Sequence, residues 1–433
     1  SILILNLMKI NNFFKDHSLI DISSFLLLIV FSLGTLIVSF NYEFDISGGG
    51  SSSDINTHWK YIQILNLEIN NLITFGVEYK MTNFPLHHIL ISRFDFLSND
   101  LKTYLNFFFY FSLTLPFLFY LNIKKLFPQI SNLKILFYSF LILLLPNFQA
   151  SAIWGSNHIT SLIFFLTSIF FLNSNDNSLP RSRINIFLII FFLSLTCYVR
   201  QYYVIFFPFF ILKILETNKT NFLYVLFLLI ILSLPGFLYL SINPKLLYFG
   251  QELPNITNFY SSIIIVLSII GFFILPFFIL DFKENLKRLI FFFKKKSNLL
   301  LVLLLISVLI LLCFNFKYEG MIGGGIFYKL SNLIFKNNLF LFIIFFLSLF
   351  ILIPFRNDRY LFLILIIPII ISFGSGFYIF QKYFDPLIYL IFFLLFDKKI
   401  IENVMKKKLI FPLIYFSIYW IGYYTYVSDF FDF

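Results

Sequence analysis

Cysteine occurs only twice, at Cys197 and Cys313, and both sit inside apolar runs. That excludes a disulfide framework, and no metal-ligand spacing exists. Charge is also scarce: Asp, Glu, Lys and Arg make up 12% of the 433 residues, about half the share of a soluble domain. Glycine never precedes Lys-Ser or Lys-Thr, which argues against a Walker-type phosphate loop and nucleotide hydrolysis. No Asp-x-Asp pair occurs, so the residues give no reason to expect a metal or any other cofactor.

What fills the chain instead is apolar: 60% of residues are hydrophobic, with 67 phenylalanines. Long uncharged runs recur from end to end, the mark of a polytopic helical membrane protein. The expected fold is all-α, one membrane-embedded domain over 1–433. Its cores are 22–40, 102–122, 133–149, 159–173, 184–199, 202–215, 222–242, 260–281, 298–315, 338–355, 360–379, 386–397 and 409–427, about thirteen helices with eleven as a lower bound. The first run is too long for a signal segment and lacks a small-residue cleavage site, so it is expected to stay as an anchor. Residues 1–7 read as an extension upstream of a start at Met8.

The formal charge of +11 is not a nucleic-acid signature. With the N-terminus inside, every inside loop is basic, with Lys9, Lys15, Lys124, Lys125, Arg181, Arg183, Lys213, Lys219, Lys283, Lys287, Arg288, Lys294 to Lys296, Arg356, Arg359, Lys398, Lys399 and Lys406 to Lys408, while the outside loops are neutral, mixed or acidic. The same map sends His58, His87, His88 and His158 outside, together with Arg200, Gln201, Lys382 and Asp385 at helix ends. Ionisable groups gathered on one face of a bundle mark a site there. The predicted helix centres are almost free of charge, and no halves of matching hydropathy occur. Both features favour surface chemistry over a translocation path.

The largest outside loop, 41–101, is too long to lack structure of its own. After "SGGGSSSDINTHWKY" (Ser47–Tyr61), Ile55, Trp59, Ile62, Leu65 and Ile69 form a helical stripe suited to lying on the membrane surface. Ser51 or Ser53 is the expected N-cap, with Asp54 in the first turn and His58 one turn on. The Gly/Ser run reads as a flexible lead or a plain linker. Further along, Pro85 among Thr82, Asn83, His87 and His88 suggests a turn opening a short helix. The two adjacent histidines point to different helix faces.

These elements resemble the GT-C class of integral-membrane glycosyltransferases, and within it the dolichyl-phosphate-glucose-dependent alpha-1,2-glucosyltransferase family. "DINTH" (Asp54–His58) is similar to its acidic-x-x-x-His element, "YKMTNFPLHH" (Tyr79–His88) to its proline-bearing segment, and "VRQYY" (Val199–Tyr203) to its Arg-Gln-Thr-Asn element. "QKYFDPLIYL" (Gln381–Leu390) resembles an aromatic Arg-Tyr-Phe element, with Lys382 in the arginine's place. The departures are Ile55 for a second acid, one proline for two, and Tyr202-Tyr203 for Thr-Asn.

The resemblance implies inverting transfer of a hexose from a polyprenyl-phosphate sugar donor to a lipid-linked or other extracytoplasmic glycan acceptor. Some members of the class use a divalent metal. Such chemistry needs a base and a cationic phosphate holder. Asp54 is the candidate base. Arg200 is the candidate phosphate ligand and Lys382 a second one, though an interfacial anchor role competes at both. His58 and His88 could bind sugar hydroxyls, donate to the phosphate or orient Asp54. Gln201, Asn83, Tyr79, Lys80, His87 and His158 complete the candidate contacts. The lipid bilayer and the two lipid-linked substrates are the expected partners, with no nucleic acid. A bacterial plasma membrane fits better than an endoplasmic reticulum. The competing functions are a flippase or transporter of lipid-linked saccharides and an O-antigen polymerase or ligase, whose large loop usually lies late in the chain. "KYEGMIGGGIFYKL" (Lys317–Leu330) reads as a lid or a flexible turn.

Overall fold

The computed structural model describes residues 18–47, 50–67, 83–173, 182–217, 221–242, 256–295, 316, 318, 323–355, 359–374 and 379–427. Among them the secondary structure is helical throughout. The long elements, in chain order, are α1 (Leu19–Asn41), α2 (Gly50–Leu67), α3 (Leu86–Ser92), α4 (Leu101–Ser112), α5 (Thr114–Leu126), α6 (Asn132–Phe140), α7 (Pro146–Ile153), α8 (Asn157–Leu172), α9 (Arg183–Val199) and α10 (Phe207–Thr217). They continue with α11 (Phe222–Ile242), α12 (Ile256–Leu280), α13 (Phe282–Lys295), α14 (Gly325–Leu330), α15 (Leu339–Leu352), α16 (Arg359–Gly374), α17 (Leu387–Leu395), α18 (Lys398–Met405) and α19 (Ile410–Val427).

Four of these stretches are long and apolar enough to cross a bilayer: Leu19–Asn41, Leu101–Leu126, Phe222–Ser241 and Ser261–Leu280. Such helices fit an integral membrane protein, because a helix satisfies its own backbone in hydrocarbon. The expected run at 133–149 is not one rod. It breaks before Pro146, where Asn132–Leu144 and Pro146–Ile153 meet at 70°. Proline supplies no N–H and biases its predecessor to extended backbone; Leu145 takes that conformation, at φ −80° and ψ 121°. The run at 202–215 likewise opens as a 3-10 turn, Gln201–Phe206, before α10. The run at 298–315 lies outside the described residues.

Helices α8 and α9 pack together along their lengths, as do α12 and α15. The second pair meets at Gly271, where an added Cβ would fall 1.9 Å from Ser348 Oγ and 2.5 Å from its Cβ. A small residue there lets the two backbones approach. Gly271→Ala is therefore expected to cost about 1–3 kcal/mol by overpacking, read as a lower thermal midpoint in detergent. Adding Ser348→Gly should recover most of the loss.

At one end of the bundle the elements are clasped by charge. Asp21, in the first turn of α1, lies 3.9 Å from Lys134 Nζ and accepts from the Leu409 backbone N–H at 3.2 Å. Lys134 also donates to the Lys406 and Lys407 carbonyls, and Lys407 pairs with Asp281 at 2.8 Å. From this end α1 leads away to its C-terminus at Asn41, and α2 follows with Asp54. The candidate site therefore sits at the other end.

Candidate active site

Helix α2 starts at Gly50, so the Gly/Ser residues 50–53 are helical rather than a lead. The cap is Asp45, not Ser51 or Ser53. Its Oδ1 accepts from Ser47 N–H at 2.9 Å and from the Ser47 hydroxyl, and its Oδ2 accepts from Ser52 N–H at 2.7 Å. Ser47 Oγ takes the Ser51 N–H at 2.9 Å. A carboxylate on orphan amide donors at a helix start favours the helix through both hydrogen bonding and the dipole. Asp54 consequently stands past the first turn. The apolar stripe is real but faces protein: Ile55, Ile62, Tyr104, Phe108, Ile91 and Leu97 form one buried cluster. Helix α2 thus rests on α3 and α4 instead of on a membrane surface. Ile69 lies outside the described residues.

This packing leaves Asp54 half exposed, and Lys382 Nζ meets its Oδ2 at 2.7 Å, with side-chain exposures of 48% and 21%. Lys382 lies in a 3-10 turn, Gln381–Tyr383. That turn is held from behind by the second glycine-rich segment. Gly323, Gly324 and Gly325 all have φ between 74° and 89°, a region costly for other residues. Gly324 N–H donates to Ile379 C=O at 2.9 Å, and Ile379 N–H donates to Tyr318 Oη at 3.2 Å. Gly324 and Tyr318 therefore brace the Lys382 turn; Lys317 and residues 319–322 of the segment lie outside the described residues. Asp385, next to that turn, is buried; its Oδ2 accepts from Asn147 N–H, Asn147 Nδ2 and Tyr419 Oη at 3.1–3.3 Å.

His58 turns inward and does not orient Asp54. Its Nδ1 shares a hydrogen bond of 2.7 Å with His88 Nε2, and the two rings stack at 5.0 Å. His87 diverges from its neighbour, as adjacent helical residues do. Its Nδ1 is 3.0 Å from Thr160 Oγ1 and its Nε2 is 3.2 Å from Tyr104 Oη. Tyr104 donates its proton to Gly155 C=O at 2.5 Å, so it accepts from His87. The His87 proton then sits on Nε2, and Nδ1 accepts from Thr160. All three histidines are buried.

Burial pushes all three pKa values down. His88 falls to about 3, with the Arg200 charge adding to the effect. For His58 burial is followed by His88, His87, Arg200 and Lys382, and for His87 by His88 and Arg200. The sign of the consequence is fixed: below a pH of about 6.5 the unfolded chain takes up protons that the folded cluster refuses. Stability is complete above that pH and is lost as the pH falls, at about 1.4 kcal/mol per pH unit for each histidine. Thermal midpoints in detergent should fall between pH 7.5 and 5, less steeply in His88→Asn. A flat profile would contradict the buried neutral cluster.

Arg200 follows the last residue of α9 and is 5% exposed. Its Nε donates to Asn157 Oδ1 at 2.9 Å, and a second guanidinium nitrogen reaches the same oxygen. Arg200 is therefore a held, buried cation rather than a snorkelling surface arginine. Asn157 holds Arg200 and Asp54, one turn before His58, holds Lys382; both charges add to the lowering of the His58 pKa. His158 joins them: its Nδ1 lies 3.4 Å from Tyr202 Oη and its ring 5.9 Å from that of Tyr383. Asn83 is described but makes no contact that links it to these groups; Tyr79 and Lys80 lie outside the described residues.

Two features were missed in the sequence. The first is Asn157, the arginine's partner, whose only signal is its place beside His158 at the start of a helix. The second is an apolar cavity of about 550 Å³ between α9 and α11, lined by Phe84, Cys197, Tyr198, Gln201, Leu232 and Phe237 among others. Val204, Ile230 and Phe237 stand exposed along it, so it opens sideways from the bundle, with Gln201, the residue after Arg200, on its wall. Several buried polar atoms have no hydrogen-bond partner among the described residues: Trp154 Nε1, Asn157 Nδ2 and His158 Nε2. Among the described residues, no group of three or more His, Cys, Asp or Glu side chains is placed to hold a metal ion. No family model matches the chain, and neither a curated protein nor a solved structure matches it.

Proposed function

We propose that the protein is an integral-membrane glycosyltransferase of the GT-C type, which moves a hexose from a polyprenyl-phosphate donor to a lipid-linked or other glycan acceptor. The observation that carries this reading is the buried, Asn157-held Arg200, followed in the chain by Gln201 on the wall of a sideways-opening apolar cavity. A lipid phosphate has the matching form: an apolar tail for the cavity and an anion for a guanidinium that remains charged. The unpartnered atoms on Trp154, Asn157 and His158 are hydrogen-bonding positions for a hydroxyl-rich headgroup, since buried polar groups otherwise carry a desolvation cost.

In this reading Lys382 holds Asp54 until donor binds. The phosphate then offers the ammonium a second anion, and Asp54 is released to act as base. The acceptor hydroxyl oxygen attacks C1 of the sugar, its proton passes to Asp54, and the C1–O bond electrons leave on the polyprenyl phosphate beside Arg200. His58 and His88, neutral at pH 7, position α2 and donate hydrogen bonds rather than charge.

The working side is the extracytoplasmic one, from the distribution of Lys and Arg. The test is to supply reconstituted protein with a short-chain polyprenyl-phosphate hexose and to follow release of polyprenyl phosphate. Release that depends on acceptor supports the transferase. Movement of intact donor across the vesicle membrane, with no release, would replace it by a flippase.

A further inference from the structure

At the end of the bundle opposite Asp54 lies a second cleft, of about 440 Å³, between α13, the Ile353–Phe355 turn and the start of α18. Helix α13 has three distinct faces. Asn285 and Phe292 are buried against protein. Phe282, Leu286 and Ile290, spaced by four residues, are exposed and apolar. The other exposed positions are Phe291, which lines the cleft, and the charged Lys283, Glu284, Lys287, Lys294 and Lys295. A short helix of this pattern that directly follows a membrane span lies in the bilayer interface, apolar stripe down; α12, which precedes it, is such a span.

Arg288 and Lys295 are seven residues apart, two turns along one face, and both line the cleft with Lys399. Among the described residues the single carboxylate on its wall is Asp397, whose Oδ1 is already occupied by Lys399 N–H at 2.8 Å and Ile400 N–H at 3.1 Å as the cap of α18. Three cations thus face one engaged acid. Arg288 Nη1 is buried and has no hydrogen-bond partner among the described residues, while Lys287 on the next face is paired with Glu284 at 2.7 Å.

We propose that this cleft binds the phosphate headgroup of an anionic membrane lipid. Arg288 and Lys295 grip the phosphate, and the Phe282–Leu286–Ile290 stripe lies among the acyl chains of the same leaflet. The site does not depend on the transferase reading. A lipid fits better than a free anion because the cations stand beside an apolar, membrane-facing helix stripe, which a soluble ion would leave uncovered.

The experiment uses the full chain, delipidated in detergent, and measures binding of dioctanoyl phosphatidylglycerol, dioctanoyl phosphatidylcholine and inorganic phosphate. The glycerol lipid should bind, with the choline lipid and phosphate weaker by tenfold or more. Lys295→Gln, an exposed position that leaves the fold intact, should weaken it about fivefold, and Arg288→Gln with Lys295→Gln about thirtyfold, as for two lost lipid-facing charges. Lys124→Gln with Lys213→Gln removes as much charge away from the cleft and should change nothing. Equal binding of phosphate or of the choline lipid, or an equal loss in the Lys124/Lys213 control, would overturn the proposal.

Discussion

Asp54→Asn is expected to lower the turnover number for sugar transfer by about a thousandfold, within the range that a positioned base contributes. The substitution is nearly isosteric. Asn still offers an oxygen to Lys382, so the 2.7 Å contact survives in neutral form and α2 keeps its place on α3 and α4. The ion pair itself is too solvent-screened to matter much to folding, worth under about 1 kcal/mol. A loss of turnover with an unchanged thermal midpoint and an unchanged KM for donor therefore isolates the proton transfer. Unchanged turnover would remove Asp54 from the chemistry. Lys382→Ala separates the second half of the idea: it frees Asp54 but takes a cation from the phosphate, so KM for donor should rise while proton abstraction survives.

Arg200→Gln is expected to reduce kcat/KM for donor by about a hundredfold to a thousandfold, in line with loss of a charge-assisted, bidentate phosphate contact whose charge partner grows in the transition state. Here stability should move as well, because Arg200 is buried and Asn157 Oδ1 loses its donor. Arg200→Lys serves as the separating variant. It restores the charge but not the planar fork, so it should recover stability better than activity. Recovery of both in parallel would make Arg200 a structural residue only.

The two variants probe residues whose partnership the sequence shows unevenly. Gathering of His58, His87, His88, His158, Arg200 and Lys382 at one end was legible, since the alternation of apolar runs assigns each to a side. The pairs within that set were not. Asp54 and Lys382 are 328 residues apart in the chain, and a run of single helices says nothing about which helix ends adjoin. The stripe Ile55, Ile62 and Leu65 was correctly periodic, yet periodicity does not name the surface it covers. Here α3 and α4 cover it. The glycines and serines at 50–53 look like a spacer because their helix propensity is poor; the Asp45 and Ser47 side chains outweigh that by satisfying the helix's first amides. The run 133–149 was read as one helix; its apolar character hid the break that Pro146 makes, and the 70° bend that brings α7 to Asp385 follows from it. The cavity with Gln201 on its wall was hidden for a simple reason: its walls come from α9 and α11, and their apolar residues look the same whether they face a neighbour, a lipid tail or the bilayer.

The most direct measurement is mass analysis of the acceptor. Purified protein, a synthetic polyprenyl-phosphate hexose and a lipid-linked oligosaccharide fraction are incubated at pH 7.5, with Asp54→Asn in parallel. The expected result is an acceptor heavier by one anhydrohexose, formed one-for-one with free polyprenyl phosphate, in the wild-type reaction and at background level in the variant. An acceptor of unchanged mass in the wild-type reaction, with donor bound but intact, would contradict sugar transfer as the activity of this site.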